Sequence, residues 1–180
     1  MKVILDVDGV LADFPKAASE EHGLPNPYDY PENFGKYSME DLWGITKEEF
    51  IKPLGLEFWT KVPLLPHAKS IVEMIETSFG RENICLLTQP LDTLGCIEGK
   101  RWWILKNFPQ LKWLIGSPKY FCAHANSVLV DDNPDNCKKF VEAGGRAFLV
   151  PAPWNWKYDR DTYKDLAAFV GGLCTTGVLV

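Results

Sequence analysis

The sequence predicts an α/β protein built on a parallel sheet. Short apolar runs alternate with segments of helical periodicity along most of the 180-residue chain. The runs are apolar at nearly every position, which is typical of strands that are covered on both faces. An alternation of strand and helix indicates a parallel sheet with right-handed crossovers.

Five apolar runs are predicted strands, and four helical patterns lie between or after them. The strands are KVILDV, NICLLT, WLIG, SVLVDD and RAFLVP. The helices are PHAKSIVEMIETSFG, LDTLGCIEGKRWWILKNF, NPDNCKKFVEAGG and DTYKDLAAFVGG. In the third helix Asn133 is the expected N-cap and Pro134 the first helical residue. The tail GGLCTTGVLV is either a short edge strand or a frayed end.

Residues 15–66 interrupt this alternation. The segment is rich in Pro, Asn, Tyr and Gly, has no convincing core strand, and carries helix-start signals at Ser38 and Thr46. We therefore expect two domains. Residues 1–14 and 67–180 form a core with a five-stranded parallel sheet flanked by helices, and residues 15–66 form a small helical cap inserted after the first strand.

Composition narrows the function classes. A net charge of −5 argues against binding to a nucleic-acid polymer or an anionic membrane. The five cysteines show no metal-ligand spacing, and no signal peptide is recognisable, so we expect free thiols and a cytoplasmic protein. The sequence does not decide the oligomeric state, and a homodimer is left open.

Acidic residues occur in two pairs, each at the end of a predicted strand. The pairs are Asp6 with Asp8, and Asp131 with Asp132. The carboxyl ends of parallel strands form the usual ligand site of such sheets, so four carboxylates would converge there. They would repel one another without a cation, and oxygen ligands without His or Cys favour Mg²⁺.

Thr88 ends the second strand, and Lys119 lies in a loop before the fourth. Beside a magnesium site, a hydroxyl and an ammonium group suit a phosphoryl group. Each feature alone has a structural explanation, since Asp before Gly is ordinary turn chemistry and an acid pair before Asn-Pro can cap a helix. Their joint occurrence in this order favours a catalytic site.

The joint pattern resembles the haloacid dehalogenase superfamily of aspartate-nucleophile phosphohydrolases. DVDGV is similar to its DxDGx nucleophile motif, ICLLT to its strand ending in Thr or Ser, Lys119 to its lysine, and VLVDDN to its terminal acid pair. Within the superfamily, residues 1–150 resemble the 5'(3')-deoxyribonucleotidases through DVDGVLADF, FWTKVPLLPHA, LLTQP, KRWWILKNF and VLVDDNPDN.

The resemblance implies a role for each acid. Asp6 would be the nucleophile that forms an aspartyl-phosphate. Asp8 would protonate the leaving oxygen and then activate water as general acid and base. Mg²⁺ would be held by Asp6, the backbone carbonyl of Asp8, and Asp131, while Asp132 would orient waters or Lys119.

It also implies phosphate ligands. Thr88 and Lys119 would bind the phosphoryl oxygens, together with Gln89, which stands where the nucleotidases usually carry a small hydroxyl residue. Lys100 matches a second phosphate-side lysine of the nucleotidases, although its helix could equally present it to solvent.

The predicted cap would close over the site and exclude water. Its aromatic residues could stack on a nucleobase or simply fill the cap's own core; these are Phe14, Tyr37, Trp43, Phe58 and Trp59. Trp154 and Trp156 follow the last strand, where they could line the pocket or pack on the surface.

The sequence therefore predicts a Mg²⁺-dependent phosphomonoesterase acting on nucleoside monophosphates. One alternative is a phosphatase of the same superfamily for another metabolite, such as a sugar phosphate. A second is a non-catalytic nucleotide-binding protein on the same fold. A response-regulator receiver domain also gathers acids, Thr and Lys, but there the order is an acid pair, a single Asp, Thr and then Lys. Here Thr and Lys precede the second acid pair and an insert of about 50 residues follows the first, so we exclude it.

Overall fold

The computed structural model describes residues 1–176, and the side chains of residues 1–174. Its strands form one parallel sheet in the order β3-β2-β1-β4-β5. They are β1 (Lys2–Leu5), β2 (Ile84–Thr88), β3 (Lys112–Ile115), β4 (Ser127–Asp131) and β5 (Arg146–Leu149). The predicted five-stranded parallel sheet is confirmed.

Both faces of the central strands are buried. Along β1, Val3 and Leu5 join the main apolar core, whereas Ile4 points to a second cluster with Leu129 and Phe140. This explains why β1 is apolar at every position of its buried part. The expectation of burial on both faces is wrong for β3, where Leu114 is 50% exposed, because β3 is an edge strand.

The segment after β1 is helical, as predicted. It contains α1 (Phe14–His22), α2 (Met39–Trp43), α3 (Lys47–Ile51) and α4 (Leu56–Lys61), with short 3₁₀ helices at Pro27–Asp29 and Pro31–Asn33. The predicted helix starts are confirmed, since Ser38 accepts a hydrogen bond from the Asp41 amide and Thr46 forms a capping box with Glu49. The division of the chain into two domains stays a prediction.

The two ends of this insert lie side by side. The Asp13 amide donates to the Pro63 carbonyl at 2.8 Å, and the Leu65 amide donates to the Leu11 carbonyl at 2.8 Å. The chain therefore leaves the end of β1 and returns beside it.

The remaining helices also follow the predicted order. They are α5 (Ala68–Phe79), α6 (Cys96–Asn107), α7 (Pro134–Glu142) and α8 (Thr162–Thr176). Asn133 caps α7 as predicted, accepting from the amides of Asp135 and Asn136. Helix α8 continues through residues 171–176, so this part of the tail is neither a strand nor frayed, and residues 177–180 lie outside the described part. Over residues 1–176, no helix has the length and apolar character needed to cross a membrane.

Close contact between α4 and α6 brings the insert over the sheet. A Cβ atom at Gly99 would lie 2.4 Å from the Trp59 Cβ and 2.9 Å from the Leu56 carbonyl oxygen. On the next turn, the Trp103 indole donates to the Val62 carbonyl at 2.6 Å. Glycine is therefore required at position 99 for this approach.

We predict that Gly99→Ala lowers the free energy of unfolding by about 1–3 kcal/mol, because the added methyl group forces two packed helices apart. Gly171→Ala is the matched control, since Gly171 is also inside a helix but has no atom within 4 Å of its Cβ position. It should gain up to about 1 kcal/mol from helix propensity. Urea unfolding of both variants checks this, and equal effects would contradict the proposed packing constraint.

Candidate active site

The DVDGV motif forms a tight turn at the end of β1. Asp6 directly follows the strand, and its Oδ1 accepts a hydrogen bond from the Val7 amide at 2.8 Å. Gly9 has a φ of +76°, and a Cβ there would lie 2.6 Å from Asp132 Oδ2. Only glycine fits this left-handed and crowded position, which explains why Gly9 directly follows Asp8.

The predicted site residues converge on this turn from different elements. Thr88 ends β2 and Asp131 ends β4, the two strands that flank β1. Lys100 comes from the first part of α6, and Lys119 begins a 3₁₀ helix after β3. All four of these residues are buried, so the site lies deep in the protein.

Lys119 joins the two acid pairs. Its Nζ lies 2.6 Å from Asp6 Oδ1 and 2.7 Å from Asp131 Oδ2, and the side chain is 2% exposed. Burial lowers the pKa of Lys119, but the two carboxylates outweigh this and raise it well above its usual value. The residue is therefore permanently charged, which corrects one detail: its carboxylate partners are Asp6 and Asp131, not the predicted Asp132.

Asp8 belongs to a second polar group. Its Oδ2 accepts from the Lys100 ammonium and from the Thr88 hydroxyl at 3.1 Å, while Lys100 also donates to Thr88 Oγ1 at 2.9 Å. The Lys100 Nζ lies 4.4 Å from the centroid of the Trp59 ring. The solvent-facing alternative for Lys100 is thus wrong, since the helix turns this lysine into the site.

The two groups together carry excess negative charge. Four carboxylates face two ammonium groups, leaving a formal excess of two negative charges. Burial raises the pKa of Asp6 to about 7, with Lys119 opposing the rise and Asp131 and Asp8 adding to it. Burial, together with the charges of Asp6 and Asp131, also raises the pKa of Asp132 well above its usual value.

These residues fit a divalent cation. Oxygen atoms of Asp6, Asp131 and Asp132 all lie within 4.8 Å of one another, in buried positions. Three carboxylates without His or Cys make a hard-ion site, and a charge of +2 would balance the local excess.

The hydrogen bonds distinguish the last two acids. Asp131 is fully buried, with its oxygens used by Lys119, the Asn133 amide at 2.9 Å and the Asn136 side chain at 3.3 Å. Asp132 lines the cavity, and its side chain has one hydrogen-bond donor, the Trp154 indole. The geometry therefore favours Asp132 over the predicted Asp131 as the ligand beside Asp6, with Asp131 holding Lys119.

A cavity of about 360 Å³ lies between these groups and the insert. Gln89 is exposed and lines it, in agreement with its predicted place beside Thr88. Aromatic residues form much of the wall, namely Phe14, Tyr28, Tyr37, Phe50, Trp59 and Trp154. The site thus has a charged floor and an aromatic wall.

Two of the predicted aromatic contacts are wrong. The Trp43 indole donates to the Pro25 carbonyl at 2.9 Å and its ring packs 5.1 Å from His22, away from the cavity. Phe58 is 6% exposed and packs edge-on against Trp59 inside the insert. Both serve the insert's own core. Phe14 and Trp59 do line the cavity, as does Tyr37.

Sequence reasoning missed the role of Tyr28 and left Trp154 undecided. The Tyr28 ring packs 5.2 Å from the Trp154 ring, and both line the cavity. These two residues are 126 positions apart in a chain with many aromatic residues, so no local pattern marks them as neighbours.

No protein-family model matches the sequence, and no curated protein matches it. Solved structures do match. A haloacid dehalogenase-like protein of unknown function from Agrobacterium tumefaciens superposes with a TM-score of 0.61 at 16% identity, over 95% of this chain and 97% of that one. L-2-haloacid dehalogenase from Xanthobacter autotrophicus gives a TM-score of 0.54 at 10% identity, over 83% and 77%.

A haloacid dehalogenase family hydrolase from Deinococcus radiodurans, crystallised with phosphate and sodium, gives a TM-score of 0.50 at 13% identity, over 84% and 82%. At these identities the likeness concerns the fold. The chain has the haloacid dehalogenase-like fold, a five-stranded parallel sheet flanked by helices, and this confirms the predicted fold class.

The raised pKa of Asp6 predicts a pH-dependent stability of the metal-free protein. Between pH 4 and 7 the folded state keeps a proton on Asp6 that the unfolded chain has lost, so stability falls as the pH rises through this range. Asp6→Asn should remove part of this fall, and Asp132 accounts for a further part in the same direction.

The measurement is urea unfolding at pH 5 and pH 7.5 in EDTA, for the wild type and Asp6→Asn. We expect the variant to be the more stable of the two at pH 7.5, because it buries no charge at this position. Parallel pH profiles of the two proteins would contradict the assignment of the titration to Asp6.

Proposed function

We propose that the protein is a Mg²⁺-dependent phosphomonoesterase that works through an aspartyl-phosphate intermediate. The observation that carries the proposal is the surroundings of Asp6: one carboxylate oxygen is fixed by buried Lys119, and the residue faces the cavity beside Asp8 and Asp132. A non-catalytic nucleotide-binding protein would have no use for a nucleophile held in this way.

In the first half-reaction an Asp6 oxygen attacks phosphorus, and the bond from phosphorus to the ester oxygen breaks. Asp8 gives its proton to the departing oxygen, which leaves as an alcohol. In the second half-reaction Asp8 takes a proton from water while the water oxygen attacks phosphorus, and Asp6 is released with inorganic phosphate. Asp6, Asp132 and the backbone carbonyl of Asp8 would hold Mg²⁺, which would supply positive charge opposite the phosphoryl oxygens.

Lys100 and Thr88 connect substrate binding to the hydrogen bonds of Asp8. Both groups donate to Asp8 Oδ2 in the free protein. A bound phosphoryl group offers stronger acceptors to the same donors. When they turn to the phosphate, Asp8 Oδ2 loses these two donors and becomes free to face the leaving oxygen.

For the substrate class we propose nucleoside monophosphates. The aromatic wall around the cavity provides flat apolar faces of the kind on which a base stacks. Lys100 and Lys119 are the cations in the described cavity wall, and both lie at the phosphate end. One phosphate is therefore matched by positive charge, whereas a second or third would meet the Glu40 carboxylate or the aromatic rings.

The resemblance of residues 1–150 to the deoxyribonucleotidases supports this substrate class, and a sugar phosphate remains the alternative because its single phosphate fits the same lysines. A cytoplasmic location also remains a proposal. It is supported by the five cysteines, which are all unpaired in the described structure.

We predict that Asp6→Asn lowers the rate of phosphate release at least about 10³-fold, because the amide is not a nucleophile. Asp8→Asn should lower it about 10²- to 10⁴-fold through loss of general acid and base catalysis. Asp13→Asn is the control, since Asp13 caps α1 through its side chain and stands outside the chemistry. A malachite-green assay with Mg²⁺ and with EDTA measures all three, and turnover that survives EDTA or persists in Asp6→Asn would overturn the mechanism.

A substrate panel tests the substrate class separately. Deoxyribonucleoside and ribonucleoside monophosphates should be hydrolysed with a kcat/KM at least about tenfold above that for nucleoside triphosphates. The extra phosphates of a triphosphate would be buried without a cationic partner, which costs more free energy than one hydrogen bond contributes. Sugar phosphates belong in the same panel. Turnover of sugar phosphates without nucleotides would overturn the nucleotide proposal and leave the phosphatase proposal intact.

A further inference from the structure

Trp154 makes a specific contact with one carboxylate of the proposed metal site. It lies in the loop between β5 and α8, and its indole Nε1 donates to Asp132 Oδ2 at 2.5 Å. In the described structure this is the one hydrogen bond to the Asp132 side chain. The other carboxylate oxygen is left without a donor, as a metal ligand requires.

The loop is anchored on the backbone of the same acid. The Asn155 side chain is 2% exposed and donates to the carbonyls of Asp132 at 3.0 Å and of Val150 at 2.8 Å. Since Asn155 follows Trp154 directly, these bonds fix the position of the Trp154 backbone relative to Asp132. The contact is thus built into the fold and does not depend on one flexible side chain.

The indole also packs against the nucleophile turn. A Cβ atom at Gly9 would lie 2.6 Å from Asp132 Oδ2 and 2.9 Å from Trp154 Cζ2. The turn, the carboxylate and the ring therefore touch one another at one point. A side chain at position 9 would therefore displace the Asp132 carboxylate or the Trp154 ring.

The same ring contacts the insert. Its centroid lies 5.2 Å from that of Tyr28, whose hydroxyl lies within hydrogen-bond distance of the carbonyls of Lys36 and Tyr37. Nearby, the Gly35 amide donates to the Pro153 carbonyl at 2.8 Å. The loop that carries Trp154 is therefore bound to the insert on one side and to Asp132 on the other.

We propose that Trp154 is a positioning residue of the metal site, which orients the Asp132 carboxylate beside Asp6 and couples its position to the docking of the insert. The inference rests on the part of the proposed function that places a cation on these carboxylates. Groups that hold a metal ligand in place without touching the metal typically contribute 10- to 100-fold in metal affinity.

The test is isothermal titration calorimetry with MgCl₂ and no substrate, on protein treated with EDTA to remove metal and then freed of EDTA. Trp154→Phe keeps an aromatic ring against Tyr28 but removes the N–H donor, and we expect the Kd for Mg²⁺ to rise about tenfold or more. Trp156→Phe is the matched control, because Trp156 lies two residues away in the same loop and is 67% exposed. It should bind Mg²⁺ as the wild type does.

A second substitution separates the hydrogen bond from packing. Benzothienylalanine incorporated at position 154 has nearly the size and shape of tryptophan but carries sulfur in place of the N–H, so the fold is kept. It should weaken Mg²⁺ binding about as much as Trp154→Phe, although it keeps the packing of a tryptophan-sized ring against Tyr28. A purely structural role predicts unchanged Mg²⁺ affinity for this replacement.

The outcomes separate the two proposals. Wild-type affinity in both position-154 proteins overturns the positioning role, while EDTA-sensitive phosphatase activity would still support the proposed function. A wild-type protein that binds no Mg²⁺ overturns the positioning role together with the metal requirement, and the Asp6→Asn assay then decides independently whether the chain is a phosphatase.

Discussion

The structure depends on the packing of four carboxylates, three of them buried and one 26% exposed, around two lysines at one edge of a parallel sheet. Such an arrangement is unfavourable unless each charge has a partner. Lys119 is a partner for two of these charges, because its ammonium group bridges Asp6, which follows β1, and Asp131, which ends β4. The excess negative charge that remains makes the site receptive to a divalent cation, and an anionic ligand can bind only where a lysine is free to contact it.

The two lysines differ in this respect. Lys119 is fixed between two buried carboxylates, so it serves the integrity of the acid cluster as well as any ligand. Lys100 is paired with Asp8, whose side chain is 26% exposed toward the cavity. The Lys100 side of the site is therefore the part that can exchange its partners when a substrate arrives, and it is also the part that α6 carries against the insert.

Much of the fold was predictable because its signals are local. The strands are short apolar runs, and the acid pairs lie at strand ends. Asn133 and Thr46 indicate helix starts because their side chains cap the helices that follow. Failures occurred where packing between distant segments decides. Trp43 and Phe58 have the composition of base-stacking residues, but tertiary contacts turn them into the insert's core. Which of Asp131 and Asp132 faces the cavity depends on which carboxylate binds Lys119, and their adjacent positions in the sequence do not reveal this.

The adjacency of the insert's two ends has a consequence for how this architecture varies. Backbone hydrogen bonds join Asp13 to Pro63 and Leu11 to Leu65, so about fifty residues form a closed loop on a fixed base. The entropy of closing such a loop changes only slowly with its length. Evolution can therefore lengthen, shorten or replace the insert while the strand order and the acid cluster stay unaltered, and a change in what the cavity binds need not begin at the sheet.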